Sequence, residues 1–567
     1  MEKLVVENLT FQYPLGEQPA IRDISVKIGE SEFVVLCGKS GCGKSTLLRH
    51  LKKSMMPYGQ KSGLVYYDGT PLEDIPDRTE VAEIGYVQQN PDNQLVTDKV
   101  WHELAFGLEN LGLSNTVIKR RVAEMAAYFG IDGWFRKNVA ELSGGQKQLL
   151  NLASVMAMQP KVIVLDEPTS QLDPIAASDF LNTVYKINRD LGTTVIISEH
   201  RLEEVFPMAD QVIVLDHGQV LTTGSPKEVG LKLDRFSEDG PHPMYYGMPA
   251  AMRVFPAEKL EGRELPLTVR EGRLLLDELL DAKEKKQTDA TETEQETVSE
   301  AKTENAPATK PAKTDGRVPV IKIKDAYFRY DKKEKDVLRG LRLEIYGDEI
   351  FTLLGGNGSG KSTLLKTIVG ILKLQRGKID NDPTKRIALV PQNPQALFTE
   401  ITCEEEVLDG MTNLEMSDAD KVARVDEMLK LMEIEHLRKA NPYDLSGGEQ
   451  QRLAIAKVMA YGPDILLLDE PTKGLDPFFK RTLGGILREL KAKGITIVIV
   501  SHDIDFCAEY GDRSGLFFDG EIAAIDESRK FFCGNGYYTT TTNKIVRKRK
   551  EDLILCEEAR AWLSEIL

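Results

Sequence analysis

Gly38-Lys39-Ser40-Gly41-Cys42-Gly43-Lys44-Ser45-Thr46 recurs as Gly355-Gly356-Asn357-Gly358-Ser359-Gly360-Lys361-Ser362-Thr363, and this repetition decides how the 567-residue chain is organised. Two more stretches repeat in the same order. Leu142-Ser143-Gly144-Gly145-Gln146 returns as Leu445-Ser446-Gly447-Gly448-Glu449, and Leu165-Asp166-Glu167-Pro168-Thr169 as Leu468-Asp469-Glu470-Pro471-Thr472. Length alone suggests roughly three to five domains; the repeat makes the chain two copies of one unit. Gln89 to Gln392, Ser143 to Ser446 and Asp166 to Asp469 are all 303 positions apart, whereas Lys44 to Lys361 is 317. The first copy therefore carries 14 extra residues between Lys44 and Gln89. That stretch holds Leu64-Val65-Tyr66-Tyr67-Asp68-Gly69, which reads as strand then turn and predicts a longer β-hairpin.

Each glycine-rich stretch fits the phosphate-loop pattern Gly-x4-Gly-Lys-Ser. The first follows the apolar run Phe33-Val34-Val35-Leu36 and precedes the helix-like Leu47-Leu48-Arg49; the second follows Ile350–Leu354. Strand, loop and helix in that order let backbone N–H groups wrap a phosphate chain at a helix N-terminus. Lys44 and Lys361 are placed for the β- and γ-phosphates, and Ser45 and Ser362 for Mg2+. Val162–Leu165 and Ile465–Leu468 are apolar runs ending in Asp166-Glu167 and Asp469-Glu470. A buried parallel strand carries such carboxylates to the ligand edge of a sheet. Asp166 and Asp469 are expected at Mg2+, and Glu167 and Glu470 as the bases that polarise an attacking water. The Leu-Ser-Gly-Gly segment stands 23 residues before the carboxylate pair in both copies, ahead of the helical patterns Gln148–Met156 and Arg452–Met459.

This ordered motif set resembles the ATP-binding-cassette (ABC) family over nearly the whole chain. The resemblance implies an α/β fold of two P-loop NTPase cassettes in tandem. Each would have a mixed α/β core, an antiparallel β subdomain, a helical signature subdomain and a small C-terminal tail. The expected bounds are 1–237 and 238–282 for the first cassette and its tail, 283–317 for a linker, and 318–530 and 531–567 for the second pair. ATP and Mg2+ are the implied cofactors. The nucleotide would be held by Gly38, Lys39, Ser40, Gly41, Cys42, Gly43, Lys44, Ser45 and Thr46 in one copy, and by Gly355, Gly356, Asn357, Gly358, Ser359, Gly360, Lys361, Ser362 and Thr363 in the other. Tyr13 and Tyr330 map to the aromatic that stacks on adenine, and Gln89 and Gln392 to the Q-loop glutamine, which also reaches Mg2+. Asp173 and Asp476 map to the D-loop aspartate, and His200 and His502 to the switch histidine. In the family two cassettes pack head to tail around ATP and open on hydrolysis. One site would then join Lys44, Gln89, Asp166, Glu167 and His200 to Ser446-Gly447-Gly448. The other would join Lys361, Gln392, Asp469, Glu470 and His502 to Ser143-Gly144-Gly145. Both copies keep the lysine, the carboxylate pair and the histidine, so two competent sites are expected.

Within the family, the chain is most similar to the ATPases of energy-coupling-factor importers. Gln89-Asn90-Pro91-Asp92-Asn93-Gln94-Leu95-Val96, Ala105-Phe106-Gly107-Leu108-Glu109-Asn110 and Glu199-His200-Arg201-Leu202-Glu203-Glu204-Val205 carry this likeness. Ser501-His502-Asp503-Ile504-Asp505-Phe506 and the tail Phe531 to Thr540 add to it. It implies a transmembrane scaffold subunit whose helices are gripped near the Q-loops, a separate substrate-capture membrane subunit, and a place on the cytoplasmic face of the membrane. Two departures stand out. The second copy has Pro394-Gln395-Ala396-Leu397-Phe398 where the first has Pro91-Asp92-Asn93-Gln94, and Gln450 where the first has Lys147. The two grooves are thus expected to hold different helices.

Composition supports this frame. Hydrophobic residues are 41% and charged residues 29%, too apolar for a disordered chain. A net charge of −16 argues against a general nucleic-acid binder, which neutralises phosphates with Lys and Arg. No apolar run reaches membrane-spanning length, and Met1–Glu7 lacks a signal-peptide core. The six cysteines show no metal-binding spacing and read as thiols in a reducing cytosol. Residues 283–317 are rich in Lys, Glu, Thr and Ala without aromatics, and read as a disordered tether spanning roughly 30 Å. The competing functions are a soluble tandem ATPase acting on ribosomes or DNA, and an exporter ATPase. The basic run Lys544-Ile545-Val546-Arg547-Lys548-Arg549-Lys550 is the one feature favouring the first of these.

Overall fold

Phe33–Gly38 is buried along its whole length, inside a six-stranded sheet of the first repeat. The strand order is Gln219–Gly224, Gln211–Asp216, Phe33–Gly38, Thr194–Ser198, Val162–Asp166 and Ile84–Val87. All neighbours run parallel except the first pair, Gln219–Gly224 with Gln211–Asp216. Continuous Val/Ile/Leu runs suit strands covered on both faces. The second repeat builds the same sheet from Ile387–Val390, Ile465–Asp469, Thr496–Val500, Ile350–Gly355, Arg513–Phe518 and Glu521–Glu527. In both, the Asp-Glu pair stands at the C-terminal end of a parallel strand, one strand removed from the strand that feeds the glycine-rich loop, so chemistry collects at one sheet edge.

This is a computed structural model, and it describes residues 2–14, 16, 18–237, 240–260, 262–291, 318–356 and 358–567. It groups into two compact units. One comprises Met1–Arg253, Leu260–Thr268 and Asp476–Phe478; the other comprises Val254–Lys259, Val269–Leu475 and Phe479–Leu567.

The first unit adds an antiparallel sheet in the order Ile21–Gly29, Glu2–Gln12, Gln60–Tyr67 and Thr70–Pro71. Leu4, Val6, Leu9 and Phe11 turn inward from Glu2–Gln12 to meet Leu36, Leu47 and Val164 in one core. The extra residues of this repeat form the expected hairpin, with Tyr67 opposite Thr70 and Tyr66 opposite Pro71 around Asp68-Gly69. They also build a helix, Asp77–Glu83, that strand-and-turn reading had not singled out. In the second unit the matching sheet has three strands, Leu338–Tyr346, Pro319–Phe328 and Arg376–Asn381.

Helix Val269–Thr291 groups with the second unit. Its residues beyond Lys283 enter the segment that composition reads as tether. Lys, Glu, Gln and Ala are good helix formers, so the helix runs on after its apolar stripe ends. Residues 292–317 of that segment lie outside the described residues. Within the same unit this helix rests on Thr541–Val546: Arg273 Nε donates to the Lys544 carbonyl at 2.6 Å. Arg549 reaches Asp277 at 3.0 Å and Asp281 at 2.9 Å. Ile545 and Val546 are buried. The basic run is therefore partly core and partly committed to carboxylates of its own chain. Among the described residues no helix is long and apolar enough to cross a membrane.

Candidate functional site

In the first repeat the loop after Phe33–Gly38 ends at Gly43, the N-cap of helix Lys44–His50. Gly43 has φ 101°, and a Cβ there would sit 2.6 Å from the Ala20 carbonyl oxygen, so only glycine fits. Gly360 repeats this at φ 116°, against Val337. Neither helix start has a side-chain cap, which leaves its first N–H groups for an anion. Lys44 is buried, and its Nζ donates to the carbonyls of Gly38 (3.0 Å) and Lys39 (3.2 Å). Lys361 holds Gly355 (2.8 Å) and Gly356 (2.9 Å) in the same way. Burial pulls Lys361 below the usual lysine range, against the opposing charges of Glu470 and Asp469.

The remaining loop residues Ser40, Gly41, Cys42, Ser359 and Gly358 lie between strand and helix as expected; Asn357 lies outside the described residues. Ser359 Oγ is buried with no hydrogen-bond partner. Tyr13 and Tyr330 stand edge-on to Phe11 and Phe328. Their hydroxyls pair with Thr46 Oγ1 (3.2 Å) and Thr363 Oγ1 (2.9 Å), which fixes the ring beside each loop.

Asp166 ends strand Val162–Asp166, and Glu167 follows it. Ser45 Oγ donates to Asp166 Oδ1 at 3.0 Å, Ser198 Oγ to the same oxygen at 2.9 Å, and Tyr86 OH to Oδ2 at 3.2 Å. Tyr86 and Ser198 were not legible in the motifs; they come from the two strands flanking Asp166, opposite or near it in register. Burial, and then the Glu167 charge, push the Asp166 carboxyl up. The second repeat has Leu389 and Val500 on its flanking strands. Asp469 Oδ1 is accordingly buried without a hydrogen-bond partner, and burial pushes that carboxyl up as well. A buried carboxylate oxygen with no donor, on an aspartate beside the Ser362 hydroxyl, is a setting that suits a hard divalent cation such as Mg2+.

Glu167 and Glu470 both adopt left-handed backbone, φ 43° and 53°. That conformation costs a non-glycine residue about 1–3 kcal/mol and persists where neighbours impose it. Here Glu167 N–H donates to the Ser198 carbonyl (3.1 Å) and hydroxyl (2.9 Å), and Glu470 N–H to the Val500 carbonyl (2.8 Å). The side chains differ in their partners. Glu167 receives Gln89 Nε2 at 2.8 Å and lies 2.8 Å from His200 Nε2, with Lys44 at 3.7 Å. Burial pushes its carboxyl up, but the His200 charge and hydrogen bond, helped by Lys44, outweigh this and hold it at about 2. Glu470 lies 3.0 Å from His502 Nε2 and accepts the His502 backbone N–H at 3.1 Å, while Gln392 is exposed.

Ser143 and Ser446 cap helices Gly144–Ala157 and Gly447–Ala460, each in a reciprocal box with Gln146 or Glu449. Gly144 and Gly447 are exposed, while Gly145 and Gly448 pack lightly near Leu172 and Leu475. Asp173 caps helix Pro174–Leu191 through Ala176 N–H at 2.9 Å. Asp476 is buried and groups with the first unit. The Lys, Ser, Asp, Glu and His residues thus converge in each repeat. Gln89 joins its cluster and Gln392 does not.

The ABC transporter family pattern matches residues 21–170 and 338–473. A protein of Bacillus thuringiensis subsp. konkukian (strain 97-27), named as an ABC transporter ATP-binding protein, is 40% identical over 554 residues, 96% of this chain and 95% of its own. A Methanosarcina acetivorans protein so named is 34% identical over 92% of this chain and 86% of its own. A solved chain from the complex of archaeal ribosomal stalk protein aP1 with ribosome recycling factor aABCE1 covers 93% of this chain and 91% of that one, with TM-score 0.57. At 18% identity that likeness concerns the fold alone.

Proposed function

The chain belongs to the ABC transporter family as a tandem ATP-binding ATPase, and from that premise we propose that it energises a membrane importer of the energy-coupling-factor type, for a vitamin or a metal ion. ABC ATPase domains bind ATP with Mg2+. In the proposed chemistry Tyr13 and Tyr330 stack on adenine, and Lys44 and Lys361 hold the β- and γ-phosphates. Ser45 and Asp166 in one repeat, and Ser362 and Asp469 in the other, would hold Mg2+, which would neutralise charge on those phosphates; Gln89 stands at the first site, and Gln392 would have to move inward to reach the second. Glu167 and Glu470 polarise the attacking water, oriented by His200 and His502. ATP draws the two cassettes together through the signature residues Ser143, Gly144, Gly145, Ser446, Gly447 and Gly448 and the D-loop residues Asp173 and Asp476, and hydrolysis releases them.

The Q-loop surface of the first repeat carries the importer reading. The turn Pro91–Asn93 is held rigid: Asn90 caps it, Lys147 Nζ reaches Asp92 at 2.6 Å, and Gln94 bonds Gln88 N–H at 2.9 Å and the Tyr86 carbonyl at 3.0 Å. Beside this fixed turn Val96 is 66% and Trp101 44% exposed. Two exposed apolar side chains following a rigid turn suit contact with a partner's apolar helix. The ribosome or DNA reading loses support, because Arg549 of the basic run is paired with Asp277 and Asp281. Affinity capture of the tagged chain from detergent-solubilised membranes tests the proposal. Co-purifying integral membrane subunits, lost on Val96→Asp, are the expected result; ribosomes in their place would overturn it.

A further inference from the structure

We propose that Glu199 is a positioning residue of the first ATP site, one that takes up the His200 backbone N–H and thereby leaves both oxygens of Glu167 to side chains. The inference deepens the reading of Glu167 as the base of an ATP-hydrolysing site and rests on it.

Glu199 is 3% exposed. One of its carboxyl oxygens accepts Thr169 N–H at 3.1 Å and Thr169 Oγ1 at 2.7 Å; the other accepts His200 N–H at 3.1 Å. The side chain thus ties the turn after Asp166-Glu167 to the switch histidine. Burial, with the Glu167 charge, pushes this carboxyl above the usual range, against the two Thr169 hydrogen bonds and the His200 charge. The second repeat has Ser501 at this position. The serine hydroxyl sits 3.3 Å from Thr472 Oγ1 and accepts Asp503 N–H at 3.0 Å. It is too short to serve both sides, and the His502 N–H goes to Glu470 itself at 3.1 Å.

In the second repeat the His502 N–H takes one Glu470 oxygen and the other is buried without a hydrogen-bond partner, so a backbone N–H competes for the lone pairs of the oxygen that a Q-loop side chain would engage. In the first repeat that oxygen is free for Gln89 Nε2, at 2.8 Å. In the second, Gln392 is exposed. Glu199 therefore acts through Glu167: it makes the first site responsive to Gln89, the residue at the start of the Q-loop turn.

The test uses the full chain carrying Glu470→Gln, so that turnover reports the first site. Glu199→Gln keeps shape and volume but offers only one accepting oxygen, so its amide N–H2 faces either His200 N–H or the Thr169 donors. We expect kcat to fall about tenfold with KM for ATP within about twofold, since a lost charged hydrogen bond in a buried site has roughly that effect. Glu199→Ser, which copies the second repeat, should behave likewise. Gln89→Ala should lower kcat about tenfold when Glu199 is present and add nothing to Glu199→Ser, because the two act through one link. Independent, multiplicative losses would overturn the proposal, as would full kcat in Glu199→Gln. Glu167→Gln in the same background separates the two levels. If it removes no activity, the reading of the site fails and the proposal with it. If it abolishes activity that Glu199→Gln spares, the positioning role alone is overturned.

Discussion

The two repeats set the same carboxylate pair at the end of the same strand and then surround it differently. In the first, polar side chains do the holding: Ser45, Ser198 and Tyr86 on Asp166, and Gln89 and His200 on Glu167. In the second, backbone and burial do more of it. Asp469 keeps one oxygen without a partner, and Glu470 takes a backbone N–H. The contrast extends to the Q-loop. Lys147 pairs with Asp92 in the first repeat, whereas in the second Gln395 Nε2 donates to Gln450 Oε1 at 3.3 Å. It reverses further along the same helix. Lys457 reaches Glu406 at 2.6 Å and the Leu397 carbonyl at 2.7 Å, where the first repeat has Ser154 bonded to Asn151. One fold thus accepts an ion pair at either of two places. A duplicated chain can keep its motifs and still build two sites that answer to different neighbours.

The largest effect is expected where the charge is buried. Lys457→Ala leaves Glu406, which is fully buried, without its cation, and should cost the second unit about 3–5 kcal/mol. Ser154→Ala should cost the first about 1 kcal/mol or less. Hydrogen exchange along Gly447–Ala460 and Gly144–Ala157 would read each helix by itself; equal protection losses would erase the contrast. The pair also fixes a pH response. Burial lowers the Lys457 ionisation, but Asp409 and Glu406 outweigh it and raise it above the usual 10.5. Its contribution is then complete below pH 10.5 and fades as pH climbs through the raised value. Urea midpoints at pH 9 and 11 should draw closer together in the variant.

Next comes the Q-loop glutamine. Gln89→Ala, measured with Glu470→Gln, should lower turnover about tenfold, the loss of about 1.5 kcal/mol at the lower end of the range for a hydrogen bond to a charged group. Gln392→Ala, measured with Glu167→Gln, should fall less. An equal fall would show that Gln392 engages during turnover as Gln89 does. The helix caps are the control on which the repeats agree: Ser143→Ala and Ser446→Ala should each cost about 1 kcal/mol of stability. The smallest effect is at the Q-loop ion pair. Lys147→Gln should lower the unfolding free energy from urea titration by less than about 1 kcal/mol at low salt, and by less still at high salt.

The sequence carried the fold through its apolar runs and its repeated glycines, since buried parallel strands and a left-handed Gly43 leave few substitutes. It also marked Lys44, Asp166, Glu167 and His200, whose spacing is set by strand ends meeting at one edge. The asymmetry was visible only in fragments. Asp92 and Lys147, 55 residues apart, each differ from their counterparts Gln395 and Gln450, but only folding shows that they touch. Tyr86 and Ser198 reach Asp166 through strand register, which no motif encodes. The choice of His200 N–H between Glu199 and Glu167 depends on one side-chain length and on backbone direction. Helix Val269–Thr291 outran its apolar stripe, and the partners it meets in the second unit, Lys544 for Arg273 and Arg549 for Asp277, lie 271 and 272 positions away.

Steady-state ATP turnover of the purified full chain in three forms, Glu167→Gln, Glu470→Gln and the double variant, addresses the central claim that each repeat houses its own hydrolytic centre. Each single variant should keep a measurable but reduced rate, and the double variant should fall to background. A single variant with the full wild-type rate, or a double variant that still turns over, would contradict it.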